Sequence, residues 1–140
     1  MPGITITLEG EFADMNTYIA AANRGRHLSA KVKESETLRV QYEAINRYDP
    51  VPDAMYPVVM TFKWFRKNAK VDPGNIAFGE KYISDGLQAA RIIRGDGWND
   101  IKEIHHLFFI DKQTRVEVVL SWDEANATMP KAKRSITKRI

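Results

Sequence analysis

The 140-residue chain contains no cysteine, so it can form neither disulfides nor thiolate metal sites. Its three histidines are too few for a histidine-built zinc centre with its supporting shell, so any metal is expected to be hard and oxygen-bound. No apolar run approaches the roughly 18 residues that a membrane span needs. The opening Met1-Pro2-Gly3-Ile4 lacks the basic-then-apolar layout of a secretory signal. Together these absences predict a cytoplasmic protein with no membrane partner. What is present, 44% hydrophobic and 28% charged residues, suits one domain with a single core.

The net charge of +3 hides an asymmetry. Of the 21 cations, five (Lys131, Lys133, Arg134, Lys138 and Arg139) fall in the last ten residues, leaving 16 to set against 18 acids. A slightly acidic body with a basic end suits a protein that gathers carboxylates in one place and meets a polyanion in another. The expected division is a folded domain over residues 1–122 and a basic, flexible tail over 123–140.

Ile4 to Leu8 alternates with period two and predicts a strand. The polar stretch holding Asn16, Asn23, Arg24, Gly25 and Arg26 reads as irregular. Ser29 or Ser35 is expected to cap a helix running to about Tyr48, with Leu38, Tyr42 and Ile45 on one face and Pro50 ending it. Val58 to Phe65 predicts a second strand. Ile76, Ile83, Leu87 and Ala90 form one apolar stripe, which predicts a helix from Ile76 to about Arg91. Ile101 to Ile110 and Thr114 to Trp122 read as two strands joined in a hairpin at Asp111-Lys112-Gln113. Phe62, Trp64, Phe65, Phe108 and Phe109 are expected in the core. The fold class is α/β (α+β): one small domain, a mostly four-stranded mixed sheet and two main helices.

Two turns flank the strong helix, and each holds an aspartate. Asp72 precedes Pro73, which biases it to extended backbone, and Asn75 suits an N-cap. Asp72-Pro73-Gly74-Asn75 also reads as a plain type II turn, and Gly95-Asp96-Gly97 as a plain helix stop. A helix of about sixteen residues is ~24 Å long, so its two ends cannot share a metal. Asp72 and Asp96 meet only if the helix starts late, the Asp96 turn folds back along it, or a second subunit intervenes. Lys81 and Asp85, four residues apart, suggest a surface ion pair. His105 and His106, adjacent on a strand, point to opposite faces and cannot share a ligand.

The order of these pieces resembles RusA-type Holliday junction resolvases. The segments that carry the likeness are Asn16-Thr17-Tyr18-Ile19 with basic residues after it, Arg66-Lys67 and Lys70 before Asp72-Pro73-Gly74-Asn75-Ile76, Lys81 to Leu87, and Gly95-Asp96-Gly97-Trp98 before Ile101. The resemblance implies a homodimeric, Mg²⁺-dependent endonuclease that acts on branched DNA, the four-way junction. It implies Asp72 and Asp96 as metal ligands and Lys81 as the group that stabilises transition-state charge, with Asn75 and Asp85 as accessory candidates. Arg24, Arg26, Lys31, Lys33, Arg66, Lys67 and Lys70, together with the tail, would hold phosphates. One departure stands out: Gly74 occupies the place where the family carries a second aspartate, and Asn75, Glu80 or Asp85 would have to substitute. A junction-binding protein that does not cleave is the alternative. A scaffold domain with no nucleic-acid role is a third reading, and it predicts that DNA affinity disappears with residues 131–140.

Overall fold

A computed structural model describes residues 2–128 and shows a single α+β domain. Strand β1 (Gly3–Glu9) leads into helices α1 (Met15–Arg24) and α2 (Arg26–Ala44). Strand β2 (Val58–Arg66), short helix α3 (Pro73–Ala77), helix α4 (Glu80–Ala89) and strands β3 (Ile101–Ile110) and β4 (Arg115–Ser121) follow. The four strands form one mixed sheet in the order β1-β4-β2-β3. β2 pairs parallel with β3, while β4 runs antiparallel to both β1 and β2. The core lies on one face, where Ile6, Leu8, Met60, Phe62, Trp64, Val116, Val118 and Leu120 alternate inward beneath Val40, Ile83 and Leu87 of the helices. Among the described residues no helix is long and apolar enough to cross a membrane.

Several expectations hold. The four stripe residues Ile76, Ile83, Leu87 and Ala90 are all buried. Their helix is nevertheless two pieces, α3 and α4, separated by Phe78-Gly79. Gly79 passes over the indole of Trp64, where a Cβ would lie 3.1 Å from the ring. The polar stretch taken as irregular is α1, started by Asp14, whose carboxylate accepts from the Thr17 N–H at 2.8 Å.

Helix α2 corrects the expected face. It begins at Arg26 after Gly25, neither serine caps it, and it ends at Ala44, before Pro50. Leu38, Tyr42 and Ile45 point outward, Tyr42 being 78% exposed, while Ser29, Val40 and Ala44 are buried. The cause is close packing on α4: a Cβ on Gly86 would lie 2.4 Å from the Val40 Cβ and 2.8 Å from the Thr37 carbonyl. Two helices that approach so nearly select small residues for the contact and turn the large ones away.

The expected hairpin is absent too. β4 enters between β1 and β2, so β3 and β4 are separated by β2. Asp111 donates its N–H to the Arg66 carbonyl at 2.8 Å, which carries the connection across the end of β2. Phe62 and Trp64 are core, as expected, but Phe108 and Phe109 are exposed because β3 is an edge strand. Beyond β4, Glu124–Thr128 forms a 3-10 turn within the stretch assigned to the tail. There the buried Asn126 side chain donates to the carbonyls of Met55 (2.9 Å) and Pro57 (3.0 Å). The tail cations Lys131 to Arg139 lie outside the described residues.

Candidate functional site

The chain between α4 and β3 decides where Asp96 goes. Arg91 takes a left-handed backbone (φ 63°), and the Ile92 N–H bonds back to the Leu87 carbonyl at 2.9 Å, so the chain reverses over the end of α4. It then returns along the helix until Asp96 stands beside Lys81, fifteen residues earlier, with Oδ2 3.5 Å from Nζ. The Asp96 turn thus folds back along the helix, and α4 itself starts late, at Glu80, yet no bond joins Asp96 to Asp72.

This return is clasped by an ion pair on a buried carboxylate. Arg94 Nε donates to Asp100 Oδ1 at 2.7 Å, and the Asp100 side chain is almost wholly enclosed. The Arg94 N–H bonds to the Tyr56 hydroxyl at 3.0 Å while its guanidinium lies 4.1 Å from the Tyr56 ring centroid. Gly95 has a reason in this clasp: a Cβ there would come within 2.5 Å of Asp100 Oδ2. The spacing of Arg94 and Asp100 carried no signal by which sequence reasoning could have found them.

Lys81 is the hub. It bonds Asp85 at 3.2 Å as well as Asp96, and Asp85 also meets Lys33 of α2 at 3.9 Å. The result is an alternating chain, Lys33–Asp85–Lys81–Asp96, along the exposed side of α4. The Asp85 hydrogen bond leads in raising the Lys81 ammonium above the usual lysine value, Asp96 adds to it, and partial burial opposes it. Lys81 is therefore cationic throughout the neutral range, and both carboxylates stand against its one ammonium.

The other predicted residues stand as follows. Asp72 has the expected extended backbone (φ −66°, ψ 146°) and starts α3. Its carbonyl accepts from Asn75 and Ile76, so Asp72-Pro73-Gly74-Asn75 is a helix start instead of a type II turn. Asn75 lies inside α3 and caps nothing. Asp72 makes no side-chain bond to Asp85, Lys81 or Asp96, and among the described residues no three acids or histidines stand close enough to hold a metal ion. Glu80 is engaged elsewhere: it meets His106 Nε2 at 2.9 Å, and His106 Nδ1 accepts from the buried Trp64 indole N–H at 2.9 Å. His105 points to the opposite face and pairs with Glu103, so the two histidines are separate, as expected.

Of the expected phosphate-binding cations, Arg24, Arg26, Lys31, Lys67 and Lys70 are exposed and form no ion pair among the described residues. Arg66 pairs with Glu11 at 3.2 Å. Trp98, to which the sequence reading gave no role, is 98% exposed on the turn that follows Asp96 and lines an open groove of about 330 Å³ with Asp96, Ile101 and Ile104.

Mg²⁺ is commonly held by one or two carboxylates, with substrate phosphates and water completing its octahedron. Asp85 and Asp96, drawn together on Lys81, supply two such carboxylates, and Gly74 supplies none. Compared with known families and with curated proteins, the chain matches no family model and no curated sequence.

Proposed function

We propose that this chain is a RusA-like, structure-specific endodeoxyribonuclease of the cytoplasm that binds branched DNA as a homodimer and hydrolyses a phosphodiester with Mg²⁺. The observation that carries this reading is Asp96 beside Lys81, the pair that the resemblance assigns to the site and that the reversal at Arg91 brings together. Asp72 and Asp96, the ligands that the resemblance implies, would hold the ion on the side of the scissile phosphate, with Asp85 as the accessory acid beside Lys81. When bound, the metal lowers the pKa of a water and offsets phosphate charge. The Lys81 ammonium contributes its own part, a fixed positive charge at the phosphoryl oxygens where negative charge develops. Exposed Lys67 and Lys70 beyond β2, and Arg24, Arg26 and Lys31 at α1 and α2, would hold flanking phosphates and make binding salt-dependent.

A second reading, junction binding without cleavage, is favoured by Gly74. A side chain there would meet nothing within 4 Å, so the residue answers to no packing demand and simply leaves an acid out. The two readings part on a labelled four-way junction. Nuclease activity predicts Mg²⁺-dependent nicks in the wild type that vanish in Lys81→Met with binding retained. Binding alone predicts no nicks in the wild type and their appearance in Gly74→Asp at unchanged junction affinity. Junction affinity that disappears when residues 131–140 are removed would contradict both.

A further inference from the structure

Trp98 is the most exposed large apolar side chain among the described residues, and the fold gains nothing from it. An indole offers on the order of 200 Å² of surface, and here almost all of it faces solvent. The turn beneath it is fixed. The Gly97 carbonyl accepts from the Asp100 N–H at 3.0 Å and from the Ile101 N–H at 2.9 Å. The Asp100 carbonyl in turn accepts from the Val58 N–H at 2.9 Å, and its carboxylate is held by Arg94. A rigid turn thus presents a bare aromatic face two residues after Asp96.

The strand that follows departs from regular pairing at the same place. The register of β2 on β3 runs from Val58–Ile101 to Val59–Glu103, so Lys102 is an extra residue bulged from the ladder. Bulges are rare in parallel pairs, and next to active sites they re-aim a side chain. Lys102 is exposed and forms no ion pair among the described residues. It lines the same groove of about 330 Å³ as Trp98 and Asp96. Glu103, the other acid of that groove, is engaged by His105 at 2.8 Å.

We propose that this groove is a subsite for one unstacked nucleobase of the DNA strand that meets Asp96, with Trp98 as the stacking face and Lys102 on the adjoining phosphate. The proposal rests on the endonuclease reading and names the feature of branched DNA that the site takes. An indole with aliphatic Ile101 and Ile104 beside it suits a flat, uncharged ring, and base–aromatic stacking tolerates any sequence. The free Lys102 ammonium suits the phosphate that every base carries with it. At about 330 Å³ the groove is at the small end of ligand sites, which admits one base and not a duplex. Paired bases are stacked on both faces, and unstacking is cheapest where pairing is already interrupted, as at a branch. The subsite therefore selects branched DNA over regular duplex.

Titration of the full chain without Mg²⁺, by a four-way junction and by a linear duplex of the same arm sequence, tests the subsite. Trp98 emission is read as the difference between the wild type and Trp98→Ala, since Trp64 and Trp122 are common to both. A side chain 98% exposed can be removed without loss of the fold. The junction should quench Trp98, and the duplex should not. Trp98→Ala should weaken junction binding about tenfold and leave duplex binding unchanged, and Trp98→Phe should restore most of the loss. Lys102→Met should weaken junction binding less and lower its salt dependence by about one phosphate contact. Equal losses on junction and duplex overturn the subsite. So does quenching by neither, which would leave the groove to a protein partner. A Trp98→Ala protein that binds and nicks junctions like the wild type overturns the subsite with the endonuclease reading intact. Quenching by the junction alone, in a protein that never nicks, keeps the subsite and removes the endonuclease.

Discussion

β2 and β3 are parallel neighbours of nearly equal length and similar apolar content, yet they have opposite fates. β2 buries Val58, Met60, Phe62 and Trp64 in strict alternation, whereas β3 buries nothing. Ring by ring they even match, with Phe62 stacked on His106 at 5.1 Å and Phe65 on Phe109 at 4.9 Å. Place in the sheet makes the difference: β2 has strands on both sides and helices above it, while β3 has one neighbour and an open edge. An apolar strand therefore announces a contact without saying whether the contact is within the chain or beyond it.

The largest expected effect separates the two strands directly. Phe62→Ala should cost about 4 kcal/mol in urea unfolding, because the ring is fully enclosed and its removal leaves a cavity. Phe108→Ala, at the matched edge, should cost roughly 1 kcal/mol at low protein concentration. Equal losses would break the comparison.

A middle-sized effect concerns the clasp that delivers the chain to β3. Asp100→Ala should cost about 2 kcal/mol, less than a fully buried pair would, because Arg94 is 40% exposed and can turn to solvent. It should also free Asp96 from Lys81, seen as lost nicking at temperatures where the protein remains folded.

Smaller again is Tyr82, on the covered side of the molecule. Its hydroxyl is buried without a hydrogen-bond partner among the described residues, and burial pushes its ionisation from 10.0 up to about 12. The folded state thus keeps the proton more tightly than the unfolded one. The stability linked to this group is complete below pH 10.0 and falls as pH rises through about 12. Tyr82→Phe should gain about 1 kcal/mol at neutral pH and flatten that alkaline limb, as alkaline unfolding curves would record. Lys81→Met should be the smallest, within a few tenths of a kcal/mol, since the side chain is 59% exposed.

What could be read from the sequence divides along the same line. The strands and the stripe Ile76, Ile83, Leu87 and Ala90 were legible, because burial on one face leaves a period in the chain. The face of α2 was not, since a contact made through Gly86, Val40 and Ala44 has no large apolar residue to announce it. Nor was the insertion of β4 between β1 and β2, a pairing decided by non-local contacts. At the candidate site the Lys81–Asp85 pair was legible from its four-residue spacing and is present at 3.2 Å, but the arrival of Asp96 beside it was not, because that depends on a left-handed Arg91 and on the bond of Arg94 to the enclosed Asp100. Sequence reasoning left the fold-back of the Asp96 turn as one of three routes, and the reversal at Arg91 takes Asp96 to Lys81 without joining it to Asp72.

The most direct test is nicking of a labelled four-way junction by the wild type and by Asp96→Asn, with and without Mg²⁺, resolved under denaturing conditions. The account predicts paired, symmetric nicks that need Mg²⁺ and disappear in Asp96→Asn while junction affinity is kept. Nicks that persist undiminished in Asp96→Asn would contradict it.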